Sequence, residues 1–369
     1  MSTWILRLDE AGEGPRLAVK DVIDVAGVPT TIGCAAVADR AMPAGADAIC
    51  VSTARAGGAR IVGKTNLHEL CYGVTGINPW YGTPVNPFDP TLIPGGSSSG
   101  SAAAVGAGEA DIGYGTDTGG SIRIPAACCG IAGLKTTWGR ISLEGVWPLA
   151  PTLDTVGPLA RDMAGIVAGM RLMEPGFAPS GKAARVGRVR RPGVEPAAEA
   201  AVDRVLEAWG VDVVDIVLDG WAAADTAFES VIGAEAYAAD RNWVEDSPDR
   251  VGDLVTRRVL AGASVTDVEL ADAKDVRQRW QAELAAILDR VDVLVLPTLH
   301  GPPPTLGAVG PRPPLNQLTR TFNLAGVPAL SLPTHDQRTS LQLVGPLNGE
   351  ELLCGSGAQV ERVVSSLGP

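Results

Sequence analysis

The sequence predicts an α/β fold built on a largely parallel or mixed sheet, and three observations lead there. Short apolar runs alternate with helix-period segments along most of the chain, hydrophobic residues make up 46% of its 369 positions, and charged residues only 20%. That is enough apolar material for a large core and too little charge for a disordered chain. Length alone gives a prior of roughly two domains, although single α/β domains of this size occur.

Taken in order, residues 16–25 read as a strand and turn, residues 46–56 have helical spacing that ends at Gly57-Gly58, and residues 59–62 suit a short buried strand. A Pro- and Asn-rich loop spans 78–94, and the small residues of 101–108 can form a tightly packed helix. Residues 110–115 read as a short strand and 119–129 as a turn into another helix. The Gly/Pro-rich stretch 174–193 looks like a long connection. Beyond it the chain is more acidic and longer in helix. The clearest amphipathic helix spans 266–290, with Val268, Leu270, Val276, Trp280, Leu284 and Leu288 on recurring faces. A buried strand at 291–296, closing strands at 329–333 and 341–344, and a terminal helix at 350–367 complete the chain, without internal repeats.

Charge and composition exclude several function classes. With 30 Lys+Arg against 42 Asp+Glu and a formal charge of -12, the chain lacks the clustered positive charge that tracking a phosphate backbone requires, so no nucleic-acid partner is expected. The apolar stretch Trp4-Ile5-Leu6 is too short for a signal peptide, and no uncharged apolar run reaches the ~18 residues of a spanning helix. The expectation is a cytoplasmic protein with no membrane contact. The six cysteines show no CxxC spacing, and adjacent Cys128 and Cys129 look like small buried hydrophobes, so disulfides are not expected. Three histidines, His68, His300 and His335, lie far apart in sequence, which argues against a zinc site.

Glycine is the informative excess: many of the 45 glycines crowd between Gly95 and Gly133. Two clusters stand out there, Gly95-Gly96-Ser97-Ser98-Ser99-Gly100 and Gly115-Thr116-Asp117-Thr118-Gly119-Gly120-Ser121. A flexible linker would have polar surroundings, whereas these flanks are rich in Ala and Val. A phosphate-binding loop would end in Gly-Lys-Ser/Thr or open a strand-to-helix turn with GxGxxG, and neither occurs. The literal GxSxG around Ser98 would need a preceding strand, but Pro90, Thr91 and Pro94 stand there. The remaining reading joins the clusters. One helix and one strand separate them, so chain return can bring Ser97 beside Ser121, and Gly119-Gly120 lets consecutive N–H groups converge on one spot, as an oxyanion hole requires.

A serine hydroxyl needs a base. The histidines are badly placed, arginine does not give up its proton near neutral pH, and the chain has only five lysines. Lys20, in Leu17-Ala18-Val19-Lys20-Asp21, has an apolar approach that would bury it and lower its pKa; equally, it could pair with Asp21 or Asp24 on a surface.

These motifs resemble the amidase signature family. The run 95–126 fits the family's Gly/Ser-rich signature throughout, with Ser99 where many members have Gly. The likeness extends through Val19-Lys20-Asp21, Gly63-Lys64-Thr65-Asn66, Gly82-Thr83-Pro84-Val85-Asn86-Pro87, Gly133-Leu134-Lys135, Leu153-Asp154-Thr155-Val156-Gly157-Pro158 and Asn323-Leu324-Ala325-Gly326-Val327-Pro328. It covers most of 15–160 and 290–347 and leaves the middle unmatched.

The resemblance implies a single domain over 1–369 with a central mixed sheet flanked by helices on both faces, its core at 15–175 and 290–369 and a variable, mostly helical segment at about 176–289. It also implies Ser121 as acylated nucleophile, Ser97 as bridging serine after a cis Gly96–Ser97 peptide, Lys20 as base, and backbone N–H groups of Thr118, Gly119 and Gly120 as oxyanion hole. Lys64 and Lys135 then look structural. No metal or organic cofactor is implied. The expected activity is hydrolysis of a small-molecule carboxamide, aryl, indole-type or urea-derived, to carboxylate and ammonia. The alternatives are the glutamine-hydrolysing component of a tRNA-dependent amidotransferase and a non-catalytic scaffold of the same fold. The chain begins only 19 residues before Lys20, so the N-terminal helices that support dimerisation in the family are expected to be missing or very short, and a homodimer stays open. The substrate pocket is expected to draw on the unmatched middle and on loops such as 138–147, whose Trp138 and Trp147 are more often core than substrate platform.

Overall fold

The computed structural model of the protein describes residues 3–308, 314–336 and 338–367. Its centre is a mixed sheet of eleven strands: β1 (Trp4–Arg7), β2 (Arg16–Lys20), β3 (Arg60–Thr65), β4 (Ile112–Thr116), β5 (Ala132–Lys135), β6 (Val156–Ala160), β7 (Arg185–Val189), β8 (Asp212–Ile216), β9 (Val293–Pro297), β10 (Ala329–Pro333) and β11 (Ser340–Val344). Their order is β1-β3-β2-β4-β6-β5-β10-β11-β9-β7-β8. Strands β3, β2 and β4 run parallel, as do β9, β7 and β8, while the neighbours between and beside these groups are antiparallel.

The helices are α1 (Ala35–Ala38), α2 (Ile49–Ala56), α3 (Ser99–Gly106), α4 (Arg123–Cys128), α5 (Met163–Met173), α6 (Pro196–Trp209), α7 (Trp221–Asp246), α8 (Asp253–Ala261), α9 (Asp267–Leu288), α10 (Arg320–Ala325) and α11 (Glu350–Leu367). Helix α9 starts where its sequence signal lies: Thr266 accepts from the Glu269 N–H at 3.2 Å while the Glu269 carboxylate accepts from the Thr266 N–H at 2.7 Å, a capping box.

The expected long connection at 174–193 is corrected by β7, which lies inside it. Its two arginines conceal a strand next to the sheet's edge: Arg188 is buried, and Glu199 and Asp203 of α6 neutralise it. Strands β5 and β6, made largely of small residues and containing Lys135 and Pro158, were equally hidden from pattern.

Alternation along β4 puts helices on both faces of the sheet. Tyr114 turns toward α5, its hydroxyl 3.5 Å from the Gly169 carbonyl. Gly113 and Gly115 turn the other way, under the start of α3, where a Cβ on Gly115 would fall 2.7 Å from Ser98 Oγ. The bare strand lets the N-terminal end of α3 settle directly on the sheet. Because β2 and β4 are parallel neighbours, their carboxyl ends, Lys20 and Thr116, share one edge, where open α/β sheets place their ligands.

Candidate active site

Lys20 shares the face of β2 with Ala18, two residues back, and Ala18 belongs to one buried cluster with Ala102 and Ala104 of α3. The lysine therefore rises beneath the N-terminus of α3. Its Nζ lies 2.7 Å from Ser97 Oγ and 2.7 Å from Thr116 Oγ1, with no exposed surface. Burial pushes its pKa down, partly opposed by Cys71 and by the carboxylates of Asp154 and Asp117. The surface pairing open to Lys20 in the sequence is taken elsewhere. Asp21 pairs with buried Lys64 at 2.9 Å, and Asp24 accepts from Thr30 at 2.6 Å.

Ser97 follows a cis peptide bond from Gly96. The next N–H, of Ser98, donates to the Ser121 carbonyl at 3.1 Å, joining the two Gly/Ser turns. Ser121 lines a cavity of about 390 Å³ together with Thr118 and Gly119. Its hydroxyl makes no hydrogen bond to another described residue, so it is uncommitted.

The turn around Ser121 is shaped by Asp117. This buried carboxylate accepts from the N–H of Gly120 at 2.7 Å and of Ile122 at 3.2 Å, from Arg123 Nε and Nη2 at 3.0 Å each, and from Asn323 Nδ2 at 2.8 Å. Burial alone would raise its pKa, but the Arg123 guanidinium beside it holds the carboxyl well below the usual range. Arg123 also donates to the Thr319 carbonyl and to Gln342 Oε1, which fastens the turn to α10 and β11. Gly120 takes φ +129°, and a Cβ there would fall 2.3 Å from Thr319 Oγ1, so no other residue fits without strain. One layer further out, Thr118 Oγ1 donates to Asp154 at 2.6 Å. Burial pushes the Asp154 pKa up to about 6.

The geometry thus brings Lys20 and Ser97 into direct contact and opens Ser121, Thr118 and Gly119 onto one cavity. Gly120 differs from its expected part: its N–H is spent on Asp117, a nearby charged acceptor. The N–H groups of Thr118, Gly119 and Ser121 remain uncommitted among the described residues. No histidine lines the cavity among the described residues. His68 is buried, and burial lowers its pKa to about 3.

Sequence reasoning missed Thr116, Asp117, Arg123 and Asp154 as supports of the site. Asp117 and Arg123 stand six apart inside the motif, and only the bend of the turn turns them to face each other. It gave Cys71 no part in the site, whereas Cys71, left-handed at φ +56° like Leu70 before it at φ +49°, lines the cavity. The outer wall comes from Phe228, Glu229 and Ile232 of α7, Arg258 of α8 and Arg320 of α10. The unmatched middle therefore supplies the wall as expected, but neither loop tryptophan does. Trp138 is half exposed with Nε1 on the Pro151 carbonyl, and Trp147 packs 6.0 Å from Trp243.

Buried Lys64 and Lys135 are held away from the cavity. Lys135 donates to the carbonyls of Thr136 at 2.9 Å and Val327 at 2.7 Å, and burial lowers its pKa to about 7. Among the described residues no group of three or more His, Cys, Asp or Glu could hold a metal ion, and no helix is long and apolar enough to cross a membrane.

A buried lysine on one serine, with a second serine open to a cavity beside unspent N–H groups, is the layout of a nucleophilic hydrolase. The Amidase family model matches residues 14–354, and the chain belongs to that family, whose members hydrolyse the C–N bond of amides. It is 34% identical to the GatA-type component of the glutamyl-tRNA(Gln) amidotransferase of Halobacterium salinarum, over 95% of each chain. It is also 34% identical to the 2-amino-5-chloromuconic acid deaminase of Comamonas testosteroni, over 95% of this chain and 82% of that one. Among solved structures, a crystal structure of an amidase superposes with a TM-score of 0.88 at 32% identity, covering 95% of this chain and 84% of that one.

Proposed function

We propose that the protein hydrolyses a small carboxamide to carboxylate and ammonia through an acyl-enzyme on Ser121. The observation that carries this reading is the 2.7 Å contact between buried Lys20 Nζ and Ser97 Oγ, directly behind the turn that holds Ser121. Neutral Lys20 takes the Ser97 proton while Ser97 takes that of Ser121, and Ser121 Oγ bonds to the amide carbon. The oxyanion is received by the N–H groups of Gly119 and Ser121, with Thr118 adjacent, where losing one donor costs ~100-fold or more. The proton returns through Ser97 to the leaving nitrogen, the C–N bond breaks, and ammonia departs. Water then hydrolyses the ester by the same relay.

The resting structure has no Ser97–Ser121 hydroxyl bond; such catalytic bonds are often long or misaligned without substrate and tighten in the substrate complex. Phe228, Ile232 and Leu149 give the cavity the apolar surface that favours an aryl or other compact amide. A panel of primary amides scored by released ammonia, with mass spectrometry of the trapped acyl-enzyme, tests the reading. An adduct on any residue other than Ser121 would overturn it.

The likeness to this amidotransferase component over 95% of each chain favours a second reading, glutamine hydrolysis with ammonia passed to partner proteins. Co-purification with two further components, and glutamine turnover only in their presence, would establish it over the first.

A further inference from the structure

Two buried carboxylates grip the turn that carries Ser121. Asp117 holds the Gly120 and Ile122 N–H groups from within the turn. The second grip comes from residues 149–155, a compact strap in which the Leu153 and Asp154 N–H groups both donate to the Ala150 carbonyl, at 2.8 and 2.9 Å. The strap pairs with the turn through its backbone. The Asp117 N–H donates to the Thr155 carbonyl at 2.8 Å, and the Thr155 N–H donates to the Asp117 carbonyl at 3.2 Å. These bonds continue the antiparallel ladder of β4 and β6, in which Thr116 faces Val156. Asp154, next along the strap, has both oxygens committed. Oδ1 accepts from Thr118 Oγ1 at 2.6 Å, and Oδ2 accepts from the Leu149 and Ala150 N–H groups at 2.9 and 3.0 Å.

That pattern fixes Thr118. An ionised carboxylate only accepts, so the hydroxyl must donate to Oδ1, and its rotamer is set. Thr118 leads into the peptide whose N–H belongs to Gly119, and Gly119 has no side chain to set its own direction. A Cβ there would fall 2.7 Å from Phe228 Cζ. The peptide is therefore aimed by its neighbours: beyond it the Gly119 carbonyl accepts from Thr319 Oγ1 at 2.7 Å, and before it Thr118 is tied to Asp154. Thr118 and Leu149 both line the cavity, whereas Asp154 stands behind them and does not. The strap is anchored in turn to the wall helices. Glu235 of α7 accepts from the Thr152 N–H and Oγ1 at 2.9 and 2.5 Å, and Arg277 of α9 donates to the Thr152 carbonyl.

We propose that Asp154 is a positioning residue for the hydrolytic step, acting through Thr118 to aim the Gly119 N–H at the oxyanion. It touches neither the substrate nor the reacting atoms. The oxyanion forms only on attack, so a misaimed donor weakens the transition state and leaves ground-state binding nearly untouched. Loss of Asp154 therefore lowers kcat and leaves KM nearly level. This rests on the hydrolytic reading of Ser121 and adds to it the residue that orients its donor.

The test is a double-mutant cycle of Asp154→Asn and Thr118→Val. Released ammonia gives kcat and KM on benzamide, butyramide and the best amide of the wider panel, at pH 8, above the value of about 6 to which burial raises Asp154. Melting curves check the folding of each variant. Thr118→Val removes the hydroxyl and keeps the shape, so Thr118→Val against Thr118→Ser carries the test if Asp154→Asn does not fold. Each single variant is expected to lose roughly 10- to 100-fold in kcat with KM nearly unchanged, the cost of a group misplaced by up to about 1 Å. The double variant should lose no more than the larger single, and Thr118→Ser, which keeps the hydroxyl, should recover most of the loss seen in Thr118→Val. Additive losses, or kcat intact in a folded single variant, overturn the assignment and leave the hydrolytic reading standing. Failure of wild type to release ammonia from any amide of the panel overturns both.

Discussion

The floor and the wall of the cavity are built on opposite terms. On the floor, Lys20, Ser97, Asp117 and Arg123 have no exposed surface, and each polar group has a named partner from a different element. On the wall, Phe228 is buried but Glu229 and Arg258 reach solvent, and their helices belong to the stretch that matches no motif. A buried polar network tolerates little change, because removing one member strands the others, whereas a half-exposed side chain can be exchanged at small cost. Under the proposed function, the chemical step belongs to the floor and substrate choice to the wall. Floor variants should therefore lose kcat on every amide, and wall variants should reorder amides through KM.

The largest expected effect is Ser121→Ala, which should reduce hydrolysis of all amides by more than about 10,000-fold with an unchanged melting curve. Substantial residual turnover in a purified sample would break the floor assignment. Lys20→Arg should follow, with a loss of ~100- to 10,000-fold, since the guanidinium stays protonated. In wild type, burial lowers the Lys20 pKa, so the neutral, proton-accepting form grows as pH rises and kcat/KM should climb with it. A rate that falls across the same range would exclude lysine as base. Because Lys135 also titrates near 7, the rise should be measured again in Lys135→Met, where the Lys20 assignment requires it to persist.

Asp117→Asn should lower stability by about 3–5 kcal/mol in chemical denaturation, because Arg123 stays buried without its counter-charge. It should also depress kcat, as the turn carrying Gly120 loosens. Phe228→Leu sharpens the comparison from the wall: aryl amides should lose ~2- to 10-fold in KM with kcat nearly constant. An equal loss of kcat on every substrate would move Phe228 to the floor.

The smallest effect concerns Asp240, buried on α7 with the Trp147 N–H 3.4 Å away. Burial raises its pKa to about 7. A carboxyl raised in the folded state supports stability while protonated, and that support is lost as pH climbs from the ordinary carboxylate value through about 7. Asp240→Asn, neutral throughout, should melt on the order of a few degrees higher than wild type at pH 8 and nearly level with it at pH 4. A gap of equal size at both pH values would mean that ionisation of Asp240 is not the cause.

Much of this was legible in the chain itself. Helices α9 and α11 and strand β10 follow from periodicity and capping, which are local properties. The pairing of two Gly/Ser turns and the scarcity of histidine pointed to a serine served by a lysine. Other parts were not legible, for identifiable reasons. Strand β7 carries a buried arginine, Arg188, that is acceptable inside the sheet only because α6 supplies its carboxylates. Asp117 resembles any loop aspartate until the fold places Arg123 and Asn323 around it.

The residue types and spacings of Lys20, Ser97, Thr118, Gly119 and Ser121, together with the amidase signature around them, were fixed by sequence alone, because the chemistry demands particular groups at motif positions. Tertiary structure decided three further matters. It paired Asp21 with Lys64 and so freed Lys20 for Ser97, it turned the Gly120 N–H to Asp117, and it brought α7 and α8 over Ser121 as a wall. The physical reason is common to all three: a buried charge or N–H takes the partner that packing brings within reach, and that partner comes from a distant part of the chain.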